Sequence, residues 1–179
     1  LFGGWNGEAL SGDTWEWDGS RWERVATTGP SARAPGGRAY HEELDMQVLA
    51  GGQEREQVVG DMWSWDGSSW SPSETLSTGL KGSTSTQHHG IFQSTLGQAV
   101  AVWFDEGESA PSRSRLSGET WTAPQPLPTP GLSAVSFIEL DPDPNGPEAM
   151  LTWLDQELKE SGAQVWDGSA FEAGEIVET

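Results

Sequence analysis

Short runs that alternate aromatic and polar residues set the pattern of this chain. In residues 13–17 the polar Thr14 and Glu16 alternate with Trp15 and Trp17, which is the period of two that a half-buried strand shows. An Asp-Gly pair follows at Asp18, where a tight hairpin turn needs positive φ, and a short run then ends on Trp22. No stretch keeps a period of 3.6 residues. The pattern therefore predicts an all-β protein with little or no helix.

The same pattern recurs along the chain. Residues 1–22 align without a gap with residues 49–70, and 12 of the 22 positions are identical. The second half repeats it more loosely, since Trp103-Phe104-Asp105 matches Trp153-Leu154-Asp155. The aromatic residue that closes each unit recurs at spacings of 48, 51 and 50, at Trp22, Trp70, Trp121 and Phe171. Units of this length with four short strands are typical of β-propeller blades.

We therefore predict one array of four β-propeller blades, over residues 1–25, 36–73, 89–124 and 133–175. Connections rich in Pro, Ser, Thr and Gly separate the blades. Leu1 falls on the second strand of its blade, so the first strand of blade one is predicted to be missing. The chain is then a piece of a longer propeller, a part that another copy or subunit completes, or a closed ring of four blades.

The motifs of the first half resemble the Kelch repeat in its bacterial form. The similarity lies in the double glycine of 1–4, the spaced aromatics of 12–19, the Gly-Pro-x-x-Arg of 29–33 and the Arg-x-x-His of 38–41. Residues 90–179 resemble the looser repeats of sialidase-like propellers, and 114–121 is similar to an Asp-box that carries Leu116 in place of its Asp. The resemblance implies a galactose oxidase-like propeller fold and a structural role for His41.

The amino-acid composition excludes several kinds of functional site. The 179 residues include no Cys and a single Tyr, Tyr40, so the copper site of Tyr, Cys and His known in galactose oxidase cannot form. The net charge of −19 argues against nucleic acid, because phosphate binding needs a basic surface. No run of 18 apolar residues is present, so no membrane insertion is expected. No nucleophile motif such as Gly-x-Ser-x-Gly occurs, and we expect a protein that is not an enzyme.

The acidic residues concentrate in one set of predicted loops. Loops that join the second strand of a blade to its third lie on one rim of a propeller, and we place them at 5–12, 53–60, 105–112 and 155–162. Only Arg55 and Lys159 balance the nine acids of this rim, which are Glu8, Glu54, Glu56, Asp105, Glu106, Glu108, Asp155, Glu157 and Glu160. Such a surface attracts basic partners, although an acidic rim that only keeps the protein soluble is the simpler interpretation.

Two further features could carry binding. Trp5 stands outside the repeated Trp positions, beside Asn6, and is the best candidate for an exposed contact residue; the ten other Trp are expected to pack between blades. Residues 141–148 resemble the start of a calcium loop, with Asp141, Asp143 and Asn145 at the first, third and fifth positions. A long hairpin turned by Asn-Gly is the alternative for that segment.

These observations favour a non-catalytic binding or scaffolding propeller that holds a protein partner through its acidic rim loops, and a basic partner would complement their charge. A carbohydrate-binding or carbohydrate-active surface propeller is one alternative. A structural subunit of a larger assembly, in which another copy or further blades complete the ring, is a second. The resemblance and the acidic, Cys-free composition indicate an extracellular or cell-surface location, with the periplasm as a further option. No cofactor is expected apart from the calcium considered above.

Overall fold

The structure is a computed structural model, and it describes residues 1–41, 44–77, 89–93, 99–104, 110–117, 120–129, 132 and 135–178. Within these residues the fold is all-β, with fifteen strands and no helix. It follows that none of the described segments is a helix that could cross a membrane.

The strands form four antiparallel sheets in chain order. Sheet one holds β1 (Thr14–Trp17) and β2 (Trp22–Ala26); sheet two holds β3 (Ala34–His41), β4 (Met46–Gln53), β5 (Val58–Trp65) and β6 (Trp70–Ser77). Sheet three holds β7 (His89–Gln93), β8 (Ala99–Trp103), β9 (Ser112–Ser117), β10 (Thr120–Trp121) and β11 (Gln125–Pro126). Sheet four holds β12 (Val135–Pro142), β13 (Ala149–Asp155), β14 (Glu160–Trp166) and β15 (Glu175–Glu178).

The outer strands are less regular than the inner ones. In sheet three, β10 and β11 both pair with β9, so the fourth strand is interrupted between them. In sheet four, Phe171 forms a single bridge with Trp166 before β15 pairs with β14. In sheet one, the backbone of Leu1 pairs with Trp15 beside β1, with Trp15 N–H donating to Leu1 O at 2.7 Å. The order within each sheet is therefore sequential, as expected of hairpin-connected strands.

The Asp-Gly turns form as the sequence predicts. Gly19, Gly67 and Gly168 all have positive φ, at 98°, 88° and 92°. The aspartate before each glycine accepts two backbone N–H bonds and one serine hydroxyl on the same oxygen; Asp66 Oδ1, for example, takes Ser68 N–H and Ser68 Oγ at 2.8 Å. Three equivalent turns therefore reverse the chain after β1, β5 and β14, in sheets one, two and four.

Consecutive sheets pack face to face. The first strand of sheet three, β7, contacts the first strands of both sheet two and sheet four. One apolar cluster joins sheets two and three, where Met62 and Val48 meet Trp103 and Trp121. A second joins sheets three and four through residues that include Val100 and Trp153. The core is thus divided into layers that lie between neighbouring sheets.

Polar contacts join sheets one and two. Trp70 Nε1 donates to Thr14 Oγ1 at 2.7 Å, and Trp65 Nε1 donates to Glu16 Oε1 at 3.0 Å. Both tryptophans lie at the turn between the third and fourth strands of sheet two. Their rings therefore pack against the face of β1 that carries Thr14 and Glu16, because alternate side chains of a strand point to opposite faces.

The expectation that all ten repeated tryptophans pack between sheets is wrong for Trp17 and Trp22, which are the most exposed of them in the part of the chain that the structure describes. Trp17 is 52% exposed and Trp22 is 53% exposed, whereas Trp65, the repeat equivalent of Trp17, is 4% exposed. The two rings contact each other at a centroid distance of 5.6 Å. The physical reason is that the pair lies on the face of sheet one opposite Thr14 and Glu16, which make the contacts to Trp70 and Trp65.

Candidate functional site

Arg33 anchors the connection that leads from sheet one into sheet two. Its guanidinium is buried and donates to both carboxylate oxygens of Asp61 on β5, with Nη2 to Oδ2 at 2.9 Å. Further bonds run to Ser31 O at 3.1 Å and Gly51 O at 3.2 Å. An arginine that spreads its donors over several acceptors fixes the backbone around it. The Arg of the Gly-Pro-x-x-Arg motif is therefore a structural anchor.

The fit of this connection against sheet two also depends on Gly29. It has a φ of 135°, and a Cβ at that position would lie 2.5 Å from Trp70 Cδ1. Only glycine can adopt this backbone without strain and leave room for the ring. The motif glycine thus brings the connection close to the fourth strand of sheet two, and Arg33 holds it there.

Glu54 and Ser31 extend the same network to the surface. Glu54 accepts from Ser31 Oγ and, at 2.8 Å, from Gln57 Nε2, and it lies 3.9 Å from Arg33 Nη2. The hydrogen bond from Ser31, followed by that from Gln57, lowers the pKa of Glu54 below its ordinary value. Burial raises the pKa of Asp61, but the bonds from Arg33 and Trp63 outweigh it and the net shift is downward. Both carboxyl groups are therefore held as carboxylates.

Trp5 lies on a loop that Asn6 closes. Asn6 Oδ1 accepts the N–H groups of Glu8 and Ala9, each at 2.9 Å, and a backbone bridge pairs Trp5 with Leu10. The Trp5 side chain is 61% exposed. The prediction that Trp5 is the exposed tryptophan of the rim loops agrees with this placement, whereas the Asn6 side chain is engaged in shaping the turn.

The loops from sheets one and two meet in a cleft of about 340 Å³, which we call the rim cleft. Its lining residues come from the 5–12 loop, the connection into sheet two and the 53–60 loop; they are Trp5, Glu8, Ala9, Leu10, Ser31, Ala32, Glu54 and Arg55. Two acidic residues, one arginine and an exposed tryptophan thus line the same cleft. Two of the four loops predicted to share one rim, 5–12 and 53–60, thus meet at this cleft.

The other predicted rim residues have different environments. Asp155 is fully buried, and its Oδ1 accepts the N–H groups of Glu157 and Leu158 at 3.0 and 3.1 Å. Its predicted role in surface binding is therefore wrong, because its side chain caps its own turn. Glu56 and Glu157 are exposed. Asp105, Glu106 and Glu108 lie outside the described residues. Ser31 belongs to the cleft but was not predicted, although its place in the Gly-Pro-x-x-Arg motif, between two rim loops, is a usable signal.

A second opening, of about 370 Å³, lies at the turn ends of sheets one and two. Trp17, Trp22, Tyr40, Asp45 and Trp65 are among its lining residues. The Tyr40 hydroxyl donates to Asp45 Oδ1 at 2.5 Å. Sequence reasoning missed this opening because it assigned the same tryptophans to packing between blades.

The predicted calcium segment is a hairpin loop. Asp143 N–H donates to Glu148 O at 2.8 Å, and Asp143 Oδ1 accepts the N–H of Asn145 at 2.8 Å. Asp141 lies on β12, paired with Met150. Across the described ranges, no group of three or more acidic or histidine side chains could hold a metal ion. The segment is a hairpin loop, but it is not turned by Asn-Gly: neither Asn145 nor Gly146 has positive φ, and Gly146 N–H donates to Asp143 O at 3.4 Å. This geometry lends calcium no support.

His41 is buried, and its Nδ1 accepts the N–H of Leu44 at 3.3 Å. This bond holds the turn between β3 and β4. The contact matches the structural role that the Kelch resemblance implies for this residue.

Searches with protein-family models and against curated proteins find no match to this chain. Solved structures do match. A protein of unknown function from Dyadobacter fermentans DSM 18053 is 14% identical with a TM-score of 0.56, and the alignment covers 99% of this chain and 55% of that one. AofleA from Arthrobotrys oligospora is 13% identical with a TM-score of 0.54, over 96% of this chain and 50% of that one.

The Hadza microbial sialidase Hz136 is similar at 14% identity and a TM-score of 0.54, over 93% of this chain and 40% of that one. The chain thus spans about half the length, or less, of these structures. Likeness at such identity shows the fold alone. The chain has an all-β fold of several four-stranded antiparallel sheets, and its solved neighbours are propeller-like.

Proposed function

We propose that this protein is a non-catalytic binding module that takes a basic segment of a partner protein into the rim cleft. One observation carries the proposal: the exposed Trp5 lines the same cleft as Glu8 and Glu54, where the loops of sheets one and two meet. Aromatic rings and carboxylates together favour a cationic side chain, since the ring face attracts a cation and the carboxylates pair with it.

The whole-chain charge supports the same class of partner. A net charge of −19 produces a field that speeds the approach of a basic segment. Arg55 at the edge of the cleft is a local exception, and it would pair with an acidic residue that flanks the basic ones. The preferred segment therefore contains Lys or Arg with an acidic neighbour.

Hydrogen bonds also hold the residues of the rim cleft in fixed positions. Glu54 is fixed by Ser31 and Gln57, and Asn6 holds the turn that follows Trp5. Below them, Arg33 fastens the connecting segment to sheet two. Preorganised contact residues lose less conformational entropy when a partner binds. This rigidity supports a role in binding by loops that sheets hold in place.

We also infer that the four sheets are blades of a Kelch-type propeller. Positive φ at both glycines of the double-glycine pair, Gly51 and Gly52, supports this, as does the buried Arg33 that contacts Gly51 O. The second half of the chain departs from that pattern, as its sequence does.

The proposal is tested by titrating a Lys- and Arg-rich peptide into the protein and following heat and Trp fluorescence. We expect binding that weakens by about tenfold or more when salt rises from 50 to 500 mM, because charge pairs are screened. Trp5→Ala and Glu54→Gln should each reduce it, while Glu23→Gln, an exposed acid on β2, should not. Binding that is indifferent to salt and to Trp5→Ala would refute the proposal.

A glycan ligand is the second candidate, and a cleft lined by the exposed Trp5 together with Ser31 and Glu54 favours it. Sugar rings stack on indole rings and form hydrogen bonds with hydroxyl and carboxylate groups. A neutral-glycan array separates the two ligands: quenching of Trp5 emission by an uncharged sugar, with no response to the basic peptide, would replace the first proposal by this one.

A further inference from the structure

The junction of sheets one and two provides a reference for the junction of sheets three and four. In the first junction, Glu16 on β1 accepts the indole N–H of Trp65 from the next sheet, at 3.0 Å. Trp166 on β14 is the repeat equivalent of Trp65, since each of them directly precedes an Asp-Gly-Ser turn. The residue of sheet three that corresponds to Glu16 is therefore the one expected to accept the Trp166 N–H.

That residue is an arginine. The hairpins β1–β2 and β9–β10 have the same register, because both close on two directly opposed apolar residues. These are Trp17 with Trp22, and Leu116 with Trp121. The residue that precedes the first member of the pair is Glu16 in sheet one and Arg115 in sheet three. A guanidinium thus replaces, in the second junction, the carboxylate that accepts the tryptophan N–H in the first.

A second arginine lies on the same face of β9. Arg113 and Arg115 are directly opposite Val102 and Val100, whose side chains belong to the apolar layer between sheets three and four. Arg113 also lies over the Trp166 ring, with its guanidinium carbon 5.8 Å from the ring centroid. Two cations therefore face sheet four beside a tryptophan whose repeat equivalent binds a carboxylate.

Hydrogen-bond donors exceed acceptors in this group. Trp166 is fully buried, and its N–H has no acceptor among the residues that the structure describes. Arg113 donates from Nη2 to Gln125 Oε1 at 3.1 Å, but over the same ranges neither arginine forms an ion pair with a carboxylate. Burial, followed by the charge of Arg115, lowers the pKa of Arg113 below its ordinary value. An unpaired buried donor and two adjacent like charges are both stabilised by an anion.

We propose that Arg113, Arg115 and Trp166, which we call the arginine site, bind the carboxylate of a small organic acid. This carboxylate takes the position that the Glu16 carboxylate holds in the junction of sheets one and two. One of its oxygens accepts the Trp166 N–H, and both oxygens pair with the guanidinium donors, whose planar fork matches a carboxylate. The arginine site is separate from the rim cleft, so this inference does not depend on the proposed binding of a basic segment.

Burial and charge both favour a small ligand with a single charge. Trp166 is fully buried, whereas Arg113 and Arg115 are half-buried, so a ligand reaches the indole N–H past the two arginine side chains. Their flexible stems can move aside for a group of a few atoms, whereas a polymer would require the two sheets to separate. The net charge of −19 also repels a polyanion more strongly than it repels one carboxylate.

Acetate is the probe for the arginine site, and acetamide, which has the same shape without the charge, is its control. Each is titrated into the ¹⁵N-labelled full chain at constant ionic strength, and the indole N–H signal of Trp166 is followed by NMR. We expect acetate to move this signal downfield to a saturating value, because the N–H gains a charged acceptor, and acetamide to leave it in place. A signal that acetate does not move, or that acetamide moves equally, would overturn the proposal.

Three variants test the roles of the side chains. Arg115→Gln should weaken acetate binding by about tenfold or more, because it removes one charge partner, while Arg21→Gln, at an exposed arginine of sheet one, should not change it. Arg115→Glu restores the arrangement of Glu16 and Trp65. We expect its Trp166 signal to lie downfield without acetate and to ignore added acetate. Acetate binding by Arg115→Glu that equals that of the parent would refute the arginine site, and far-UV circular dichroism checks that each variant is folded.

Discussion

Arg33 and Asp61 form a two-bonded ion pair between the segment that enters sheet two and the third strand of that sheet. The Arg33 side chain is 1% exposed and the Asp61 side chain 31% exposed, so the pair lies at the edge of the buried region. Gly51 O, Ser31 O and Ser31 Oγ accept from the remaining donors. This pair supports the floor of the rim cleft without belonging to its lining.

Arg33→Met should therefore destabilise the fold. It leaves Asp61 half-buried without its partner and Gly51 O without its side-chain donor, and breaking such a pair costs about 3 kcal/mol when one carboxylate is partly exposed. Urea unfolding followed by Trp fluorescence measures the change in free energy. Arg21→Met is the matched control, because Arg21 is 73% exposed and its pairs with Asp18 and Glu23 are weak. Equal losses in the two variants would contradict the role given to Arg33.

Acid should weaken the protein through the carboxyl groups with lowered pKa. The pKa of Asp66 falls from 3.8 to about 2 because the N–H of Ser69, then the hydroxyl and N–H of Ser68, stabilise its carboxylate. The pKa values of Glu54 and Asp61 also lie below their ordinary 4.5 and 3.8. Folding therefore favours the deprotonated forms, and this stabilisation is present above the unfolded pKa and lost as pH falls through the folded one.

The urea midpoint should accordingly drop steadily between about pH 5 and pH 2. The Asp61→Asn variant should be less stable than the parent at neutral pH and should show a shallower fall over this window, because one of the titrating groups is gone. A parent protein whose midpoint is flat over the same range would show that these hydrogen bonds do not persist in solution.

Gly162 on β14 is predicted from packing to tolerate no side chain. A Cβ there would lie 2.2 Å from Trp153 Cζ2 and 2.8 Å from Glu175 O, so the ring and the backbone of the neighbouring segment would both have to move. We expect Gly162→Ala to cost about 2 kcal/mol, as overpacking of a buried site does. Gly12→Ala is the control, since its Cβ would meet Ala32 only at 3.5 Å. Similar urea midpoints for both variants would mean that Trp153 can shift without cost.

Asn6 should set the position of Trp5 in the rim cleft. Asn6→Ala removes the acceptor for the N–H groups of Glu8 and Ala9, and we expect the loop to loosen and peptide binding to weaken with little change in global stability. Asn6→Asp keeps an oxygen acceptor and should retain both the loop and the binding. Acrylamide quenching and peptide titration on the two variants make the comparison. Identical behaviour of the two would show that the side-chain bonds are dispensable.

Local sequence signals were sufficient to predict the Asp-Gly turns and the proximity of the 5–12 and 53–60 loops. Each Asp-Gly pair forms its hairpin because the aspartate oxygen and the flexible glycine act within four residues. The shared cleft of Trp5 and Glu54 also follows from the repeat, because loops at equivalent places in adjacent sheets lie on the same side. These features depend on residues that are near one another in the sequence or on a simple repeat period.

Environments set by neighbouring sheets could not be deduced in this way. Trp17-Asp18-Gly19-Ser20 and Trp65-Asp66-Gly67-Ser68 are identical, yet one tryptophan is exposed and the other is buried. The difference lies in whether a preceding sheet covers the ring, which no local pattern encodes. Asp155 failed for a related reason: a carboxylate at a loop boundary can either face the solvent or cap the turn, and its backbone geometry decides.

The layered core described above also determines how the chain loses its structure. One apolar cluster joins only sheets two and three, and the other joins only sheets three and four. Stability in such an array is close to a sum of terms between nearest neighbours, so disorder can spread inward from an end instead of striking everywhere at once. Unfolding of sheet four would first remove the apolar layer between sheets three and four. The rim cleft is separated from sheet four by both apolar clusters, so it would keep its geometry and its ligand while sheet four unfolds.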